Sequence, residues 1–315
     1  MRYMELLDFT LKADYMLLGA VNAVKKDIAP RKSIQEQDYL TAIVTKFPLL
    51  MNSTWDEVKY GGCFIHKSPL VSFKKGGRCE AGDLLVLCRE IVEKDVRYNA
   101  ALFQLKRVLQ KNAPFIKPDN MLQYKFYSEW PEFSIGGKFY PALSRNIEPK
   151  AVTPGAQYML INDPDFMTHH LLLGECCYHH QFVFTHSIPR PEMYSTKDLT
   201  FGRFLWDFTH WQNGRPIAPE EDARGDEWSR FIWDLIVKTH NVVIRNVNAG
   251  LGAGSKQSKQ QGDFFDILTT KECISYLPKS YLDGLTSDHD GGDNKEEVVN
   301  EEDNGAISIL FVDIS

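Results

Sequence analysis

No stretch of this 315-residue chain approaches the ~18 consecutive apolar residues of a membrane-spanning helix, and its N-terminus lacks the plan of a secretory leader. Its six cysteines, Cys63, Cys79, Cys88, Cys176, Cys177 and Cys273, follow no framework spacing. Reduced thiols in a cytoplasmic setting are therefore expected. Signatures of acyl transfer and of nucleotide binding are missing as well. There is no G-x-S-x-G elbow and no dinucleotide fingerprint. The glycine-rich stretch 248–262 is not a Walker A motif, because Lys256 follows Ser255 and not a glycine. It reads as a flexible loop, able at most to touch a phosphate backbone. Zinc sites use spaced ligand pairs, whereas His169–His170, Cys176–Cys177 and His179–His180 are adjacent. Neighbours on a strand point to opposite faces, so these read as partly buried strand residues.

What is present is an ordinary globular composition with an uneven charge. Hydrophobic residues make up 43% and charged residues 25%, which excludes a chain too polar to build a core. The net charge of -6 conceals a tail of eight acids and one lysine between Asp288 and Asp303; the remainder stands at +1. Between Gly61 and Ser128, twelve Lys/Arg face six Asp/Glu. A basic segment of this kind suits phosphate binding, and it equally suits a solvated basic face.

In chain order, residues 1–30 suggest a helix or a strand plus helix. Ser33 and Glu36 have the spacing of a capping box opening a helix over Ile34, Leu40, Ile43, Val44 and Phe47, which Pro48 ends. Gly61–Phe73 reads as a first strand, with Pro69 marking an edge or bulge. Two apolar runs, from Glu80 and up to Lys106, flank a polar connection and predict a hairpin with a longer loop. A helix capped by Asp119 follows, with Met121, Leu122, Phe126 and Tyr127 as its apolar residues. Residues 156–161 then read as a buried strand, 181–188 as a further one, and AISILFVDIS at the end as a strand returning to the body. The near-copies at Arg203–Phe208 and Arg230–Leu235 predict two amphipathic helices of one packed pair, with core tryptophans.

The chemistry concentrates on the hairpin. Asp83 opens its first strand. Gln104 and Lys106 are two apart on the second and so share a face. An acid, an amide and a lysine on one face are the parts needed to hold a divalent cation beside a phosphate.

Asp83 with the triplet Gln104-Leu105-Lys106 resembles the PD-(D/E)xK nuclease superfamily, in the D…QxK variant of Mrr-like enzymes. The predicted order of helix, strand, strand with acid, strand with QxK, helix and strand is similar to that superfamily's core. The resemblance implies an α/β, restriction-endonuclease-like core, a mixed central sheet flanked by helices, over residues 1–190. A mainly helical region, 191–285, an acidic linker, 286–304, and a C-terminal strand, 305–315, would follow. It implies Mg²⁺ or Mn²⁺ held by Asp83, Gln104 and the Leu105 carbonyl, with Lys106 orienting the attacking water. Glu80 or Glu36 would supply the acid that Gln104 does not; Glu36 is otherwise the capping partner of Ser33. Lys74, Lys75, Arg78, Arg107 and Lys111 are the expected nucleic-acid contacts. The implied activity is cleavage of nucleic acid, DNA before RNA, in restriction or phage defence, alone, as a homo-oligomer or with a partner protein. The alternative is an inactive nuclease-fold subunit of a defence complex.

Overall fold

The computed structural model describes residues 3–27, 35–54, 58–65, 68–108, 121–135, 144–148, 155–162, 182–186, 199–248, 258–262 and 306–314. The His and Cys pairs at 169–180, Ser33, Lys111, Asp119 and the acidic stretch lie outside them. Among the described residues no helix is long and apolar enough to cross a membrane.

The fold is mixed α/β, a mixed sheet with helices on both faces. Helix α1 (Tyr3–Asp27) is followed by α2 (Glu36–Thr41), a π-helical turn (Ala42–Lys46) and α3 (Phe47–Asn52). Strands β1 (Val58–Ile65), β2 (Leu70–Phe73), β3 (Arg78–Glu80), β4 (Leu84–Val92) and β5 (Asp95–Val108) come next. Then follow α4 (Met121–Glu129), β6 (Phe133–Ile135), β7 (Ala156–Asn162), β8 (Phe182–His186), β9 (Leu199–Thr200), α5 (Phe201–Thr209), β10 (Arg215–Ile217), α6 (Glu227–Asn248), β11 (Ser258–Gly262) and β12 (Ser308–Ile314). The large sheet runs β11-β1-β12-β4-β5-β7-β8-β9, with β10 also paired to β5; β3-β2-β6 form a small second sheet.

The central strands are apolar on both sides because both sides are covered. Leu84, Val86, Ala101, Phe103 and Leu105 face a core built with α1, the α2–α3 segment and α5. Leu85, Leu87, Ala100 and Leu102 face α4, α6 and the small sheet. The two helices with repeated sequence therefore lie on opposite faces and do not form a packed pair. Phe204 of α5 meets Phe103 edge-on at 5.0 Å, while Phe231 of α6 meets Phe133 at 5.2 Å. Trp206 and Trp233 are buried, as core residues should be.

Several local readings change, each for a physical reason. The helix does not stop at Pro48. Proline offers no N–H to the Val44 carbonyl four residues back. The chain instead opens into a π turn, the Phe47 N–H reaching the Ala42 carbonyl, and continues as α3. The Val44 carbonyl lies against β1 at Gly62, where a Cβ would stand 1.9 Å from its oxygen. The cap of α2 is Gln35, whose N–H donates to Asp38 Oδ2 at 2.7 Å, so Asp38 and not Glu36 closes that end. The stretch 61–73 is two strands in two sheets, parted before Pro69. The hairpin turn is tight: Val92 pairs with Asp95, and Glu93 takes φ 57°. In α4 the buried stripe is Gln123, Phe126 and Tyr127, with Met121 and Leu122 exposed. Ser258–Gly262, read as loop, is an edge strand on β1.

The last strand goes to the middle of the sheet. β12 lies between β1 and β4, antiparallel to the first and parallel to the second. This inserts the end of the chain between the first strand and the acid-bearing strand. Arg89 of β4 and Asp313 of β12 are register partners joined by two hydrogen bonds of 2.7 and 2.8 Å, both side chains buried.

Candidate active site

The hairpin ends where its apolar pattern ends. β4 and β5 are antiparallel from Val92↔Asp95 to Leu84↔Phe103. Asp83, one residue before β4, still donates its N–H to the Phe103 carbonyl at 2.8 Å. β5 runs further, and beyond Phe103 its partner on that side is the Asp83 carboxylate. Asp83 Oδ2 accepts the Leu105 N–H at 2.8 Å. In an antiparallel strand alternate residues turn both backbone groups to the same neighbour, so the Leu105 carbonyl is directed to the Asp83 side as well. On the other edge β5 pairs in parallel with β7, with Gln104 opposite Tyr158 and Lys106 opposite Leu160. The site thus stands where β5 runs on beyond the start of β4.

The approach to Asp83 is fixed by α4. The Tyr127 hydroxyl donates to the Ala81 carbonyl at 2.9 Å. A Cβ on Gly82 would stand 2.7 Å from that hydroxyl oxygen, so glycine is required where the chain crosses it. The Ala81 N–H donates to the Pro69 carbonyl at 2.7 Å, tying the connection to the small sheet. Ser68 Oγ donates to Asp83 Oδ1 at 3.2 Å.

Gln104 does not lie open to solvent; it is 2% exposed. Its Nε2 donates to Asp83 Oδ2 at 2.5 Å, and its Oε1 accepts from Gln123 Nε2. Gln123, 5% exposed, also donates to the Glu80 carbonyl at 3.1 Å. Lys106 is half-buried and forms no ion pair with another described residue. Glu36 at the start of α2 is half-buried, and Glu80 at the end of β3 is exposed.

The electrostatics place these groups around one carboxylate. The Asp83 carboxyl is pushed up to about 7, chiefly by burial and then by the Glu80 charge; the Leu105 N–H and the Lys106 ammonium oppose this, and the Glu36 charge adds to it. Asp83 therefore feels Glu80, Glu36 and Lys106, although they come from β3, α2 and β5. Burial likewise lifts the Tyr127 hydroxyl well above its ordinary range, so it acts as a donor and not as an acid.

The basic residues are spread more widely. Lys74, Lys75 and Arg78 are exposed on the β2–β3 turn, and Lys74 is paired with Glu132 at 2.8 Å. Arg78 is five residues from Asp83, at most about 17 Å along an extended chain. The Arg107 side chain lies outside the described residues.

A hard cation asks for oxygen donors. Asp83 Oδ1 and the Leu105 carbonyl fit that demand; Gln104 presents nitrogen to the site and spends its oxygen on Gln123. Among the described residues no three His, Cys, Asp or Glu side chains form a metal-binding group by themselves. Sequence reading missed Gln123 and Ser68. Gln123 carried a signal: it is an amide on the same helical stripe as Phe126, Tyr127 and Trp130, at i, i+3, i+4 and i+7. Ser68 carried none. Compared with known proteins, the chain matches no family model, no curated protein and no solved structure.

Proposed function

We propose that the chain is a metal-dependent nuclease of the PD-(D/E)xK type, acting on nucleic acid, DNA before RNA, in a restriction or phage-defence setting in the cytoplasm. The observation that carries this reading is the contact of Asp83 with Gln104 and the Leu105 N–H at one end of the β4–β5 hairpin, with Glu80, Lys106 and Glu36 within electrostatic reach. The order of elements supports it: helix, strand, an antiparallel pair, helix, and a strand parallel to the second of that pair.

Hydrolysis adds water across one P–O bond. The attacking oxygen must be aimed, and the phosphoryl oxygens and leaving group gather negative charge. Lys106, half-buried and without an ion-pair partner among the described residues, is placed to orient the water and face that charge. Asp83 offers the charged oxygen and the Leu105 carbonyl a neutral one, with Glu80 and Glu36 within electrostatic reach. Mg²⁺ or Mn²⁺ bound there would polarise the phosphoryl group and lower the pKa of a bound water. Lys75 and Arg78 serve the nucleic-acid backbone as sequence-independent contacts.

One observation favours the alternative of an inactive nuclease-fold subunit: Gln104 is buried and offers no oxygen to a cation. The test is incubation of the pure protein with plasmid and single-stranded DNA and with RNA, under Mg²⁺ and Mn²⁺, beside Lys106→Ala. Cleavage lost in Lys106→Ala supports the enzyme. An inert wild type under every condition supports the subunit.

A further inference from the structure

We propose that Gln104 is a positioning residue and not a metal ligand: with Gln123 it forms a hydrogen-bond relay of fixed polarity that aims a donor at Asp83. The catalytic consequence rests on the nuclease reading above, whereas the relay stands on the geometry of the chain alone.

The two ends of a carboxamide resemble each other, so its orientation must come from its partners. Here both ends of the chain of contacts are acceptors. The Glu80 carbonyl accepts only, and Gln123 Nε2 gives it one N–H at 3.1 Å. The same nitrogen gives its other N–H to Gln104 Oε1. Gln104 is then left with nitrogen toward Asp83, and its Nε2 meets Oδ2 at 2.5 Å, as an ionised carboxylate requires. Turning Gln104 alone sets nitrogen against nitrogen at Gln123 and oxygen against oxygen at Asp83. Turning both amides sets oxygen against the Glu80 carbonyl and again against Asp83. At 2% and 5% exposure, water does not repair either misfit. Each leaves buried polar groups without a partner, which is unfavourable.

The direction is therefore Gln123 to Gln104 to Asp83. The amide oxygen that could bind a cation is spent inside the protein. Oδ2 of Asp83, held by Gln104 and by the Leu105 N–H, is fixed, and Oδ1, which among the described residues meets only the Ser68 hydroxyl, is the oxygen left to face a ligand. A glutamate at position 104 would set a second carboxylate against Oδ2.

The experiment is NMR of the full chain with ¹³C,¹⁵N-labelled Asp and Gln, titrated with Mg²⁺ alone, joined by kinetics of Gln123→Met. Without metal, the Gln104 side-chain N–H signal is expected downfield and moves upfield in Asp83→Ala. A signal that stays in place overturns the relay. With Mg²⁺, the Asp83 carboxyl carbon is expected to shift while the Gln104 carboxamide carbon stays. A Gln104 shift alongside Asp83 makes Gln104 a ligand and overturns the proposal while leaving the metal site intact. If neither carbon moves, the metal reading of the site fails, and the metal-free arm alone judges the relay. In the active protein Gln123→Met lowers kcat about tenfold at unchanged KM for DNA, the usual scale for a group supporting a ligand. An unchanged kcat overturns the positioning role. Should that variant fail to fold, the wild-type titration still decides.

Discussion

Asp83, just before β4, and Asp313, beside β4 on β12, are handled in opposite ways. Asp313 sits in β12 beside Arg89 of β4, which meets it with two parallel hydrogen bonds. Its charge is matched where it is buried. Asp83 lies six positions away along β4, about 20 Å at strand spacing. It receives N–H donors from an amide and from the backbone, and a hydroxyl, but among the described residues no cationic side chain bonds to it. Two further acids, Glu80 and Glu36, add to its discomfort, and its carboxyl is raised to about 7. A carboxylate that only holds strands together is given its counter-charge by the fold. One short of counter-charge among the described residues, and near a lysine, is poised to take positive charge from outside.

That contrast predicts opposite responses to mutation. The largest effect falls on the matched pair. Asp313→Ala removes the carboxylate that matches the buried Arg89 charge and costs about 3–5 kcal/mol. Urea unfolding should show it at every pH near neutrality, unchanged by Mg²⁺. A loss below about 1 kcal/mol would remove the contrast.

Asp83→Asn should do the reverse. The folded pKa of about 7 lies above the ordinary 3.8. Between those values the folded chain holds a proton that the unfolded chain releases, so stability falls as pH rises through that window. Asparagine removes the penalty and keeps the contacts, since its oxygen can accept from Gln104 and Leu105 and its nitrogen can meet Ser68. In metal-free buffer at pH 8 the variant should be more stable by on the order of 3 kcal/mol. The gain should shrink to nothing as pH falls to about 4. Equal stability at pH 8 would mean that Asp83 is compensated like Asp313.

A smaller effect separates the two sites by ligand. Mg²⁺ at ten times its dissociation constant stabilises a folded protein by about 1.4 kcal/mol. The wild type should gain this in a thermal scan and Asp83→Asn should not. The smallest effect belongs to the surface. Lys74→Ala breaks an exposed pair with Glu132 and should cost under about 1 kcal/mol in stability. DNA affinity at low salt should still fall, measured by fluorescence anisotropy, as one phosphate contact is lost.

The hairpin strands, the strand after α4 and the returning last strand were legible as short apolar runs, and the face shared by Gln104 and Lys106 from their two-residue spacing. The position of β12 was not, since a seven-residue apolar strand carries no mark of which neighbours it will choose. The separation of α5 and α6 to opposite faces was likewise invisible: similar helices carry similar stripes whichever face they cover. Asp83 was recognisable as a residue type and place. Its lack of counter-charge was not, because Glu80, Glu36 and Lys106 meet it only in three dimensions. Gln104 shows the same limit more sharply, as its burial depends on Gln123, nineteen residues on and in another element.

The most direct test joins stability and cleavage in Asp83→Asn. In one preparation, unfolding at pH 8 without metal is measured beside cleavage of plasmid and single-stranded DNA with Mg²⁺ or Mn²⁺. The expected result is a protein more stable than wild type and inert where the wild type cuts. A variant that is less stable, or one that cleaves as the wild type does, would show that Asp83 is an ordinary structural carboxylate and that the chemistry lies elsewhere.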